Sequence, residues 1–123
     1  MYRHLLSGQC FAVNILTSLQ EAVSRQFSAG GPKDFSQINL TVAVTGAPIL
    51  AGSLAFLDCR VVQNISSGDH DIFIGEIVAG AVYEGQPLIF HNASYRRLAT
   101  SGTGHILRGK NSLVEAYDHY ASI

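Results

Sequence analysis

The chain has 123 residues, a formal charge of −1 and only 14% charged side chains. That is the length of one domain, with no basic field for nucleic acid or anionic lipid, so neither is an expected partner. Its 47% apolar content and mean hydropathy of +0.21, without any run long enough to span a membrane, predict a surface covered by a partner, most simply as a homodimer.

Residues 1–6 lead into Ser7-Gly8-Gln9 and not into the apolar core of a signal peptide. Residues 9–16 are apolar and partly β-branched, which predicts a buried strand interrupted by Asn14, whose amide then needs partners. Ser18-Leu19-Gln20-Glu21 reads as a capping box. Leu19, Ala22, Val23 and Phe27 follow at helical spacing, and Gly30-Gly31-Pro32 stops the helix near Ser28. Polar groups at this strand-to-helix junction suit an anion.

Residues 33–38 read as irregular, residues 39–45 as a weak short strand, and Gly46-Ala47-Pro48 as a turn. Residues 50–65 form the longest strand candidate, apolar on both faces up to Cys59 and bent near Gly52. Ser66-Ser67-Gly68-Asp69 is turn chemistry feeding a β-branched run that reads as a strand packed on most sides, so strands 54–65 and 71–82 make a hairpin with His70 at its turn. An imidazole exposed on a fixed backbone suits contact with a ligand, and the alternative is a plain surface residue. Glu84-Gly85-Gln86-Pro87 turns into a further strand at residues 88–91. Ser112-Leu113-Val114-Glu115 offers a second capping box, for a helix over residues 112–121. The pattern is mostly β, a small antiparallel barrel carrying a helix.

No motif in the chain names a reaction. Gly104 to Lys110 imitates a phosphate loop but continues with Asn111, where Ser or Thr should meet magnesium. Cys10 and Cys59 are the only cysteines and lie in apolar runs, which favours reduced core thiols and a cytoplasmic protein. The five histidines lack metal-ligand spacing with them, so no metal is expected.

The order of Phe11-Ala12-Val13-Asn14-Ile15-Leu16, Gln20, Phe27, Gly46-Ala47-Pro48-Ile49-Leu50, Leu54-Ala55-Phe56-Leu57-Asp58-Cys59, Gly68-Asp69-His70, Ile74-Gly75-Glu76-Ile77, Pro87-Leu88-Ile89-Phe90 and Tyr95 resembles the flavin reductase family. These are the small reductase components of two-component flavin monooxygenases, built on the FMN-binding split barrel. The resemblance implies an incomplete antiparallel split β-barrel over residues 1–98, with residues 99–123 a C-terminal extension of loop and short helix. It implies hydride transfer from NADH or NADPH to FMN or FAD, with reduced flavin passing to a monooxygenase. By position, Asn14 and Ile15 would line the flavin, while Gln20 and Ser24 would face its ribityl or phosphate group. His70 would be the catalytic side chain by the two rings, and Tyr95 with Asn92 would lie on the nicotinamide side. The family's opening segment, which wraps the flavin ring, has no counterpart before Cys10, so the resemblance implies an N-terminally truncated domain. A non-catalytic flavin-binding or structural split-barrel protein, or an inactive fragment, is the alternative.

Overall fold

A computed structural model describes residues 2–99; the loop and helix expected beyond Ala99, and the phosphate-loop imitation, lie outside the described residues. Helix α1 (Tyr2–Gly8) ends where Gln9 adopts a φ of 55° and turns the chain into β1 (Cys10–Ile15). A 3-10 turn (Ser18–Gln20) and helix α2 (Glu21–Ser28) follow. Two two-residue strands, β2 (Leu40–Thr41) and β3 (Ile49–Leu50), pair with each other. Two long strands, β4 (Ala55–Ser67) and β5 (His70–Val82), form the hairpin, and β6 (Ile89–His91) with β7 (Ser94–Arg96) makes a smaller one.

The main sheet is antiparallel with order β1-β4-β5, and the three sheets among the described residues do not close into one barrel. This is the expected incomplete antiparallel split β-barrel with a helix after the first strand. The second hairpin is tied to the end of β1 by Leu88 N–H to the Leu16 carbonyl, at 2.9 Å, and by Ser18 N–H to the Gln86 carbonyl, at 2.8 Å. Those two bonds bring β7 alongside α2.

Period-two alternation sorts the side chains of the sheet. Phe11, Val13 and Ile15 share one face with Cys59, Leu57 and Ala55 opposite them, while Cys10, Ala12 and Asn14 face the other way. The two thiols therefore project from opposite faces, and both are free. Gly75 lies on the first face, opposite Val61. A Cβ there would meet the Phe11 ring at 2.6 and 2.8 Å and the Cys59 Cβ at 3.0 Å. Gly75→Ala should therefore lower the unfolding free energy by about 1–3 kcal/mol, the range for overpacking a fitted contact, read as a lower urea midpoint at unchanged slope.

Four expectations are corrected. The long strand candidate is divided: β3 ends at Leu50, Gly52 turns the chain at a φ of 79°, and β4 starts at Ala55. The irregularities in pairing lie at Asp58/Cys59 and Val61/Gln63. The capping pair sits one residue earlier than Ser18 and Glu21, because Gln20 Oε1 accepts the Thr17 N–H at 3.0 Å, and Leu19 is left 90% exposed. Finally, β5 is not packed on most sides where it begins, since Ile72 and Ile74 are both exposed.

Candidate functional site

Asn14 lies mid-strand in register with Phe56, and its side-chain carbonyl accepts the Leu50 N–H at 2.9 Å. Gln20 reaches the same segment from the helix side, where its amide donates to the Ala51 carbonyl at 3.2 Å. Both residues thus clasp the β3 turn. Ile15, the next residue but one after Val13, points to the opposite face from Asn14 and is exposed. The two expected flavin contacts of β1 therefore do not share a surface.

Ser24 and Tyr95 do meet: the Tyr95 hydroxyl donates to Ser24 Oγ at 2.9 Å, across a separation of 71 residues. Arg25 stacks its guanidinium 4.6 Å from the centre of the Tyr95 ring and donates to Glu21 Oε1 at 2.9 and 2.6 Å. Phe90 packs edge-on to Tyr95 at 5.1 Å. Asn92 and Ala93 form the two-residue turn before β7, both in the left-handed region at φ of 54° and 59°, as a type I′ hairpin turn requires. Asn92 places Tyr95 but sits exposed at the turn itself.

Two clefts flank the junction of β1 with the helical segment. The narrower, about 240 Å3, lies between α2 and β7 and includes Ser18, Glu21, Tyr95, Arg96 and Arg97. The wider, about 460 Å3, is walled by Ile49, Leu50 and Phe56 with Thr17, Ser53 and Tyr83 at its polar edges. The Ser53 hydroxyl is buried and has no hydrogen-bond partner among the described residues, which is unusual for a native interior. Apolar walls and aromatic rings suit a flat ring system, and the volume lies within the usual range of about 300–1,000 Å3 for ligand pockets.

His70 stands apart from both clefts, at the tip of the long hairpin, paired with Ser67. Its Nδ1 lies 2.6 Å from Asp69 Oδ1, and its side chain is 83% exposed. Burial, and then the charge of neighbouring Asp58, push the Cys59 thiol up from its usual value, so this buried cysteine stays protonated and is no nucleophile. No group of three or more metal-ligating side chains occurs among the described residues, and no helix there is long and apolar enough to cross a membrane. Arg25, Arg96 and Arg97 were not apparent as site residues from the sequence. The Glu21–Arg25 spacing and the Tyr95-Arg96-Arg97 run were visible signals, whereas the stacking of Arg25 on Tyr95 is a long-range contact without a local pattern.

The unclosed antiparallel sheet, with α2 set at the end of its first strand, is the split-barrel architecture of solved flavin reductases. The NADH:FAD oxidoreductase SgcE6 of Streptomyces globisporus C-1027 matches with a TM-score of 0.71 at 31% identity, over 81% of this chain and 64% of that one. Residues 1–99 match the flavin reductase like domain, and the chain belongs to that family. It is 30% identical to the FMN reductase (NADH) SmoA of Agrobacterium fabrum, over 72% of this chain and 51% of that protein. It is 34% identical to the flavin-dependent monooxygenase reductase subunit HsaB of Mycobacterium tuberculosis, over 69% of this chain and 47% of that protein. The chain thus spans about half the length of the curated relatives it matches.

Proposed function

We propose that this chain forms part of an NAD(P)H-dependent flavin reductase of the cytoplasm that supplies reduced FMN or FAD to a separate monooxygenase. The observation that carries the reading is the agreement of its relatives: a NADH-dependent FMN reductase and a monooxygenase reductase subunit both align across more than two thirds of this chain. When bound, the flavin supplies the acceptor for the hydride of reduced nicotinamide. The chain's own residues bind and orient. Asn14 and Gln20 hold the wall of the wider cleft. Tyr95, which follows the Asn92 turn and is bonded to Ser24, lines the narrower one.

The test is anaerobic mixing of the purified chain with NADH or NADPH and free FMN or FAD, following loss of the oxidised flavin's absorbance. Catalysed bleaching that scales with protein supports the reading. Flavin binding without bleaching would instead favour a non-catalytic binding protein. That second reading has its own support, since the Asn14 carbonyl and both ends of the Gln20 amide are engaged within the fold.

A homodimer belongs to the same proposal. Ile15 and Val82 lie in register across Ala55 on one face of the sheet and are exposed, as are Val62, Ile65, Ile72 and Ile74 along the hairpin. Apolar area of this extent calls for a cover. Sedimentation at micromolar concentration should give a species of about twice the 13.2 kDa chain mass; a monodisperse monomer would overturn the assembly.

A further inference from the structure

We infer that the narrower cleft is a phosphate site, in which Arg96 and Arg97 hold a phosphate or pyrophosphate group of a nucleotide co-substrate. The proposed reductase reading supplies only the identity of that nucleotide. Two arginines and one carboxylate line the cleft. Glu21 is already paired with Arg25 through two hydrogen bonds to one oxygen, and Arg25 is held against the Tyr95 ring. Arg96 and Arg97 both line the cleft, both are exposed, and neither has an ion pair or hydrogen bond among the described residues. Two arginines therefore line one concave surface, and neither is paired with a carboxylate among the described residues. The whole chain carries a formal charge of −1, so this local excess of two positive charges is no general property of its surface.

The chemistry of the lining selects the ligand. Guanidinium forks match the paired oxygens of a phosphate, and two of them suit a dianion better than a single carboxylate. The Tyr95 hydroxyl has its proton committed to Ser24, whereas the Ser18 hydroxyl has no hydrogen-bond partner among the described residues and can donate. Size points the same way. At about 240 Å3 the cleft falls below the range of about 300–1,000 Å3 that encloses whole ligands, so it takes a charged end group and leaves the rings elsewhere. The wider cleft lies across the same junction, lined by Thr17 where the narrower one is lined by Ser18.

Calorimetric titration of the full chain with inorganic pyrophosphate tests the site without any turnover. The wild type should bind, and the Arg96→Ala/Arg97→Ala double variant should bind about ten- to a hundredfold more weakly, the loss expected for charge-assisted hydrogen bonds. Both arginines are exposed, so an unchanged thermal midpoint should confirm that the variant folds. Two ligand pairs then identify the source: FMN against riboflavin, and NADH against reduced nicotinamide riboside. The double variant should erase the advantage of the phosphate-bearing member in the pair that uses the cleft. No pyrophosphate binding by the wild type, equal binding by the variant, or survival of both advantages would overturn the inference. Failure of the reductase reading shows separately, as absence of binding by riboflavin and reduced nicotinamide riboside alike.

Discussion

Asp58→Ala should lower the unfolding free energy by about 2–4 kcal/mol, the largest stability loss expected of any single substitution among the described residues. Asp58 is fully buried on β4 at 0% exposure. Its carboxylate accepts the Val44 N–H at 2.8 Å and the Thr45 N–H at 2.9 Å, and it also takes the Thr45 hydroxyl. Truncation leaves three donors without an acceptor, each loss being about 1–3 kcal/mol where water cannot return. The side chain of Val44 is exposed, so its amide can rehydrate in part, which places the sum at the lower end. Asp58→Asn keeps the volume and one acceptor and should lose less. Burial alone would raise this carboxyl's pKa, but the Thr45 hydroxyl, the two amides and the charge of Arg60 outweigh it and hold it below the usual carboxylate range. A depressed folded-state pKa gives stability that is complete above the unfolded value of about 3.9 and is lost as pH falls through the folded one. Urea unfolding across that acid range should therefore show a shallower decline in Asp58→Asn than in the wild type. The exposed Asp34, held low by the Ser36 amide and hydroxyl, supplies the same background in both.

What the sequence disclosed depended on whether the cause was local. The β4–β5 hairpin was legible because Ser66 to Asp69 combine turn chemistry with a glycine that takes a φ of 62°, between two β-branched runs. The cut at Gly52 was only half legible: the glycine was visible, but a continuous apolar run hides a turn when both sides of it are buried. The capping pair shifted because Ser18 N–H is already used by the Gln86 carbonyl, and no neighbour in sequence announces that bond. Strand β7 was missed for the same reason. Three residues have no period, and what holds them is the Asn92–Ala93 turn and the reach of Tyr95 to Ser24. Asn14 was expected to need a partner for its amide, and its carbonyl has one in the Leu50 N–H. Nothing in the alternation said that the partner would be a backbone N–H of this same chain.

On the proposed reductase reading, His70→Ala should lower NAD(P)H-dependent flavin reduction about ten- to a thousandfold, the range for one positioning or acid–base group, while leaving the thermal midpoint unchanged. The stability half follows from exposure: the side chain is 83% exposed and its one polar partner among the described residues is the exposed Asp69, and such side chains contribute little to folding. The activity half requires a second copy. Asn14 lies opposite Phe56, near one end of β4, and His70 opposite Ser67, at the other. That separation is about 35 Å of strand at roughly 3.3 Å per residue, too far for one imidazole to serve a ligand at the clefts of its own chain. The hairpin carrying it is exposed on both sides and bears the apolar Val62, Ile65, Ile72 and Ile74, as an arm lying on another protomer would. Subunit mixing reads this directly. His70→Ala lacks the tip and Arg96→Ala/Arg97→Ala lacks the cleft, so each would be impaired at both sites of the proposed homodimer. Exchanging subunits assembles one site with an intact tip from one protomer and an intact cleft from the other, and turnover should recover in part. If the mixture stays as inactive as its components, His70 does not act across the interface; if His70→Ala alone turns over normally, it is only a turn residue.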